Sequence, residues 1–320
     1  MAVRYKNDLI KTLEQEYLPI SPETLQPDAV YSRDKFWLFR DQVRVLNHCF
    51  TPGRNGRLKY DTVIISDVKK SGKTGLGAAI GYSWATTPGL GGEIYILANA
   101  KDHARDRAFS RIVTYCDYLR REHPEKYDEH IEEQFVDTIV FKNPYARIEA
   151  LPCSAASSAG SFVSLSIWDE LWNYDLTSSH RLWAEFSPIP QLHGRSCRVV
   201  VTYAGYMGES SLLWSLHEAT VNPDNDGNPQ GLQPKGLEDL PCYVSQDGNV
   251  FCYWNHVPNR PWHSAEFLES RRSDPSLPKH EYMRLWENRW TTGSESFIPI
   301  ELIDSLMTQG DSIGHRNMYP

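Results

Sequence analysis

The chain lacks most features that mark secreted, membrane or metal-stapled proteins. Six of its 320 residues are cysteine (Cys49, Cys116, Cys153, Cys197, Cys242 and Cys252), and no two form a C-x-x-C pair. Scattered thiols with no histidine at zinc-ligand spacing exclude a disulfide framework or a zinc ribbon and read as reduced core residues. The eleven histidines contain no H-x-x-x-H pattern, so a helical metal pair is not expected either. No apolar run approaches the ~18 residues that a membrane span needs. The start, Met1 to Asp8, has no apolar stretch of the kind a secretory signal carries. A cytosolic chain without membrane contact is therefore expected. Basic residues are also in deficit: 33 Lys and Arg stand against 41 Asp and Glu, a net charge of −8. That excludes a general coat of nucleic-acid affinity, although a local basic patch or a ring of subunits could still supply one. Internal repeats and low-complexity tracts are absent.

What is present fits a globular protein. A hydrophobic fraction of 40% and an aromatic fraction of 12% suffice for a real core. The length suits one large α/β domain, or a core with a smaller appendage. Helical spacing of Leu9, Ile10, Leu13 and Tyr17 predicts a helix over 4–18, and Phe36 to Phe50 predicts a second over 34–50. Strands are expected at 62–66, 93–98, 136–141, 146–151, 162–168 and 198–202, with helices at 76–85, 102–121 and 210–220 between them. Such alternation argues for a mostly parallel sheet with helices on both faces. Near Val221 the composition shifts. A hairpin is expected from Cys242–Val244 and Val250–Trp254 around Gln246-Asp-Gly-Asn, then helices at 263–273 and 278–290, as a small second subdomain.

Two stretches carry chemistry. The run Val63-Ile64-Ile65 is a buried strand that breaks into Ser66-Asp67-Val68-Lys69-Lys70-Ser71-Gly72-Lys73-Thr74 and then a small-residue helix. Phosphate binding needs that order: loop and helix N–H groups face the phosphates at the positive end of the helix dipole. Gly72 permits close backbone approach, Lys73 brings a point charge, and the Thr74 hydroxyl can hold Mg²⁺. Asp67 stands where G-x-x-x-x-G-K-[ST] has its first glycine, so half of the pattern is present, and an ordinary strand-to-helix turn is the competing reading. The second stretch, Phe162 to Trp168 followed by Asp169-Glu170, sets two carboxylates at the carboxyl edge of a strand, where open α/β sheets bind ligands. Asp169 suits Mg²⁺, and Glu170 suits orienting and deprotonating a water. Alone, the acidic pair reads more readily as a helix N-cap with an acidic first turn. Together the two stretches favour a nucleotide triphosphate site.

At these residues the chain resembles the ATPase domain of tailed-bacteriophage terminase large subunits, the DNA-packaging motors. That family's loop often lacks the first glycine and carries basic residues before Gly-Lys-[ST], as Lys69-Lys70-Ser71-Gly72-Lys73-Thr74 does. Trp37 to Gln42 resembles its adenine-recognition segment, which implies Gln42 near the base. Ile94 to Ala104 resembles the strand and helix start after the loop, and Ser166-Ile-Trp-Asp169-Glu170 the acidic motif. Val199 to Gly205 is similar to the coupling motif, implying that Thr202 senses the γ-phosphate. Trp286-Glu-Asn-Arg-Trp290 is similar to the Asn-x-Trp stretch near the end of the domain. The resemblance implies a P-loop NTPase core of the ASCE/RecA-like type at 51–220, an N-terminal helical segment with the adenine stretch at 1–50, and a lid or linker subdomain at 221–320. It implies ATP and Mg²⁺ as cofactors, with Lys69, Ser71, Gly72, Lys73 and Thr74 on the phosphates, and Thr74 and Asp169 on the metal. Glu170, Lys73, Lys70 and Thr202 would take the catalytic roles. Implied partners are double-stranded DNA, the portal protein of the procapsid, the small terminase subunit and further copies in a ring, all in the host cytoplasm.

Two departures stand out. The family's arginine before the acidic strand has no counterpart in Ser157-Ser-Ala-Gly160, which leaves Arg147, Arg181 and Arg195 as candidates. The nuclease half that usually follows is not expected, since Asp304 and Asp311 read as helix or tail residues. Blander readings stay open beside these. Gln42 can serve as a helix cap, Lys69 and Lys70 as solvated charges, and Arg105, Arg107 and Arg111 as a salt-bridged solvent face. Trp37, Trp168, Trp172 and Trp183 read as core or interface aromatics. A nucleotide-gated, capsid-docking assembly module and a helicase-like DNA remodeller are the alternative functions.

Overall fold

The computed structural model describes residues 8–21, 24, 27, 38–98, 105–152, 162–188 and 196–292. Trp37, Arg195, Asp304 and Asp311 lie outside these, as do Cys153 and the segment 157–160. The apolar runs become strands covered on both faces. β1 (Thr62–Ser66), β6 (Val163–Asp169) and β7 (Cys197–Thr202) are buried at every position, as parallel strands between helical layers must be. Successive side chains alternate between two apolar layers. Val63, Ile65, Ile167, Val199 and Val201 enter one, while Ile64, Trp168 and Val200 enter the other. The first layer is closed by α1 (Asp8–Gln15), α2 (Arg40–Phe50), α3 (Lys73–Thr86) and α4 (Ser110–Glu122), with the short α5 (Pro124–His130) after it. The second is closed by α6 (Thr177–Glu185) and α7 (Ser211–Thr220).

The sheet has nine strands, in the order β3–β4–β5–β2–β6–β7–β1–β10–β9. Its other members are β2 (Gly92–Ala98), β3 (Ile131–Gln134), β4 (Thr138–Phe141), β5 (Ala146–Pro152), β9 (Cys242–Val244) and β10 (Val250–Trp254). The run from β5 to β10 is parallel, so these strands share one carboxyl edge. A separate parallel pair joins β8 (Tyr206–Met207) to β11 (Thr291–Thr292). α3 lies close on this sheet because two of its three glycines face it. A Cβ on Gly77 would stand 3.3 Å from Ile167, and one on Gly81 would stand 3.0 Å from it.

Three expectations are corrected. The helix predicted over 102–121 opens, among the described residues, with a π-helical turn, Arg105–Phe109, before α4. A π turn adds a residue to one turn and re-aims the side chains it carries, often at functional sites. The hairpin predicted for a second subdomain forms, yet it belongs to the main sheet, with β10 running parallel to β1. Its composition explains this: Phe251 and Tyr253 enter one apolar layer while Cys252 and Trp254 enter the other. The sheet thus continues across Val221. Finally, the helix predicted over 278–290 is α9 (Lys279–Trp286), preceded by α8 (Ala265–Arg272). α9 stops because Asn288 takes a left-handed φ of 51°. The two helices build a small apolar cluster of their own from Tyr282, Leu285 and Trp286, with Phe267, Leu268, Leu277 and Tyr203 packed on it.

Candidate active site

The phosphate loop occupies 67–72 between the end of β1 and the first residue of α3. Gly72 caps α3 at φ 91°, and Lys70 is left-handed at φ 64°. Gly72 adopts this conformation without a Cβ penalty, whereas Lys70 bears a cost of order 1 kcal/mol. Flanking contacts hold it there. The Trp262 indole N–H donates to the Lys70 carbonyl at 2.7 Å, and the Lys69 N–H donates to the Leu285 carbonyl at 2.6 Å. Lys73 is buried, its ammonium donating to the carbonyls of Asp67 and Val68 at 2.9 Å each. Burial pushes its pKa down, and the carboxyls of Glu170, Asp67 and Asp169 pull it back up. The Ser71 hydroxyl is buried with no hydrogen-bond partner among the described residues.

Across the edge stands the acidic pair. Asp169 ends β6, and its Oδ1 accepts from the Thr74 hydroxyl at 3.3 Å. Its Oδ2 is buried without a partner among the described residues. Glu170 leaves the strand at φ 59°, ψ 53°, and its Oε2 accepts from the Trp172 indole N–H at 2.8 Å. Burial raises the pKa of both carboxyls, and the proximity of Glu170 raises Asp169 further. The charges of Arg107 and Lys73 oppose both shifts. An orphaned buried carboxylate oxygen beside a threonine hydroxyl is an unmet demand for a positive partner, and this all-oxygen donor set fits a hard divalent cation. Bound there, a cation would hold Asp169 ionised.

The other expected site residues lie around this pair. Gln42, Ser71, Lys73 and Leu76 line one small pocket between α2 and the loop. Gln42 also caps its own helix, its Oε1 accepting from the Phe39 N–H at 3.0 Å, so the capping role holds. Thr202 ends β7, between β1 and β6, but it is fully buried and its hydroxyl donates to the Tyr203 carbonyl at 3.0 Å. The Thr202 carbonyl meets the loop instead, accepting from the Asp67 N–H at 3.1 Å. Asn288 ties the strand ends together. Its amide nitrogen donates to Ser66 Oγ and the Asn255 carbonyl at 3.0 and 2.9 Å, and its Oδ1 accepts from the Ala204 N–H at 2.6 Å. Among the arginine candidates, Arg147 pairs with Glu149 at 2.9 Å and Arg181 is exposed on α6.

Sequence reasoning missed three participants. Arg107 was read as part of a solvent face, yet its charge acts on Asp169 and Glu170. Trp172 was read as a packing aromatic, and it holds Glu170. Asp67 was read as a missing glycine. It is a buried carboxylate that accepts from Arg260 at 3.0 Å, and from Asn255 and the Val68 N–H at 2.8 Å each. Arg260 in turn makes a fork to Asp41 on α2, at 3.0 and 3.1 Å. The acidic residue beside a basic loop was the signal available for Asp67; the other two had none.

A parallel sheet with β7 between β1 and β6, and a Gly-Lys-Thr loop facing an acidic strand end, define a P-loop NTPase core. Among solved structures the fold is that of bacteriophage large-terminase ATPase domains. The crystal structure of the HK97 bacteriophage large terminase aligns at a TM-score of 0.55 and 16% identity, over 89% of this chain and 55% of that one. The Thermus phage P74-26 large terminase ATPase domain aligns at 0.51 and 13%, over 85% of this chain and 99% of that one. A mutant of that domain aligns at 0.50 and 14%, over 72% and 90%. The chain thus spans 55% of the length of the HK97 protein. No protein-family model and no curated protein matches the sequence. Among the described residues no helix is long and apolar enough to cross a membrane.

Proposed function

We propose that this chain hydrolyses ATP to drive double-stranded DNA into a viral procapsid, as the ATPase part of a packaging motor. The carrying observation is the 3.3 Å approach of the Thr74 hydroxyl to Asp169, whose second carboxylate oxygen is buried and unpartnered among the described residues. Segments nearly a hundred residues apart meet there at the carboxyl edge of the sheet. In this reading the loop N–H groups and Lys73 bind the β- and γ-phosphates, once the Lys73 ammonium exchanges loop carbonyls for phosphate oxygens. Lys69, Lys70 and Ser71 border the same seat, and Gln42 reads the base with the amide N–H groups that its capping bond leaves over. Thr74 and Asp169 would hold Mg²⁺, which supplies charge neutralisation across the phosphates. Glu170 orients the attacking water and takes its proton. Arg107, from the same chain, adds positive charge beside the acidic pair. Thr202 takes part through its backbone bond to the loop rather than through its hydroxyl.

The portal protein, the small terminase subunit and neighbouring copies in a ring are the partners this reading calls for. Among the solved structures that share the fold are the HK97 large terminase and the P74-26 large terminase ATPase domain. Phosphate release with and without duplex DNA is the test. Glu170→Gln is expected to cut turnover by roughly 10³-fold or more while ATP binding persists. Binding without turnover in the wild type would select the nucleotide-gated assembly module instead. Turnover driven by single strands would select the helicase-like remodeller.

A further inference from the structure

We infer that Trp172 is a positioning residue for Glu170, its indole N–H fixing one carboxylate oxygen so that the other is left for the attacking water. The inference rests on Glu170 being the base of the ATPase proposed above. Glu170 is left-handed at φ 59°, a conformation that side-chain-bearing residues keep only where their surroundings over-determine it. Its carboxylate takes one hydrogen bond among the described residues, the 2.8 Å bond from Trp172 to Oε2, and Oε1 takes none.

The indole itself is gripped from two directions. From the turn after β7, the Tyr203 ring stacks on it at 5.7 Å, Tyr206 meets it edge-on at 5.8 Å, and Ser210 Oγ donates to the Trp172 carbonyl at 2.7 Å. That turn fits so closely that a Cβ on Gly205 would lie 2.1 Å from Ser210 Oγ and 3.1 Å from the Trp172 Cβ. From α9, the buried Arg284 guanidinium lies 4.5 Å from the Trp172 ring centre, and Glu281 fixes it with a 2.8 Å bond. Apolar packing accounts for the ring of Trp172. It does not account for an indole N–H directed at a catalytic carboxylate. The orientation of the base is thereby tied to the turn after β7 and to α9.

Steady-state ATP hydrolysis by the whole chain tests this, with binding of a non-hydrolysable ATP analogue and a thermal melt alongside. Trp172→Phe keeps a ring for Tyr203 and Arg284 to pack on and removes the donor. It is expected to lower kcat roughly 10- to 100-fold, with KM and analogue affinity within about twofold of the wild type. Trp172→His, which retains a ring N–H, is expected to recover part of kcat. Should the Phe variant not fold, Trp172→His against Trp172→Leu carries the same contrast of donor against none. A kcat equal to the wild type without the donor, or an equal loss with and without it, overturns the inference and leaves the ATPase reading intact. A wild type that binds the analogue but hydrolyses nothing, with or without DNA, overturns the ATPase reading and this inference with it.

Discussion

Arg107 illustrates how one inserted residue in a helix changes what a side chain does. Arg105, on the same π-helical turn, pairs in an exposed contact with Asp106 at 3.5 Å. Arg107 rides on the π-helical turn packed against the start of α4, and its positive charge opposes the burial that raises the pKa of Asp169, Glu170 and Tyr203. Arg107→Ala is expected to lower kcat by roughly 10- to 100-fold at saturating ATP, the scale for removing one fixed positive partner from a charged transition state. Arg107→Lys should recover part of that loss in the same phosphate-release assay, and an unchanged kcat would return Arg107 to the solvent face. The placing of Lys73, Thr74, Asp169 and Glu170 at one sheet edge was legible in the sequence because the acidic pair closes a buried apolar strand and Gly-Lys-Thr follows another across one short loop. Arg107 and Trp172 were not, since a period count is blind to a π turn and to a bond that depends on a left-handed backbone.

Among the elements, the phosphate loop is the one whose sequence misled most usefully. Asp67 reads as a defect in a glycine-rich pattern, but it anchors the base of the loop to Arg260 and, through Arg260, to Asp41 on α2. Arg260 and Asp67 are 4% and 2% exposed. Removing one member of so buried a pair leaves the other charge uncompensated. Asp67→Gly, which restores the familiar pattern, is therefore expected to destabilise the fold by about 3 kcal/mol, read as a lower urea midpoint at unchanged slope. β1, β6 and β7 match their predicted limits to within a residue, because continuous apolar runs bounded by polar ends say where a covered strand starts and stops. β10 was recognised as a strand and assigned to the wrong neighbourhood. Its turn is a local signal, whereas pairing with β1 joins residues about 190 positions apart, as in the bond between Asn255 and Asp67, and nothing local records that.

For the whole molecule, the sheet's far layer sets the response to acid. His217 on α7 is buried against Trp254, Trp214 and Trp290 with ring centres 4.3, 5.6 and 5.5 Å away. Burial, with a smaller push from His256, takes its pKa down to about 3. The folded chain therefore keeps this imidazole neutral, while the unfolded chain protonates it near pH 6.5. Protons bind the unfolded state first, so stability falls as the pH drops below 6.5 and continues to fall towards 3, by up to ~1.4 kcal/mol per unit. Between pH 7.5 and 5, wild type should lose about 2 kcal/mol more than His217→Phe, measured by urea denaturation at each pH. Equal losses would mean that His217 is protonated within the fold. Helices on both faces of a parallel sheet were legible from alternation alone, and the acid sensitivity was not, because it needs the three tryptophans brought around one ring.

Asn288 carries a different kind of consequence. One carboxamide meets the chain where β1, β7 and β10 each finish, giving hydrogens to two of them and taking one from the third. Its task depends on being asymmetric, a donor at one tip and an acceptor at the other. Leucine would match its bulk and aspartate its outline, yet neither could satisfy three strand ends of mixed polarity. The carboxyl edge of this sheet is thus kept in register by a residue outside the proposed catalytic set.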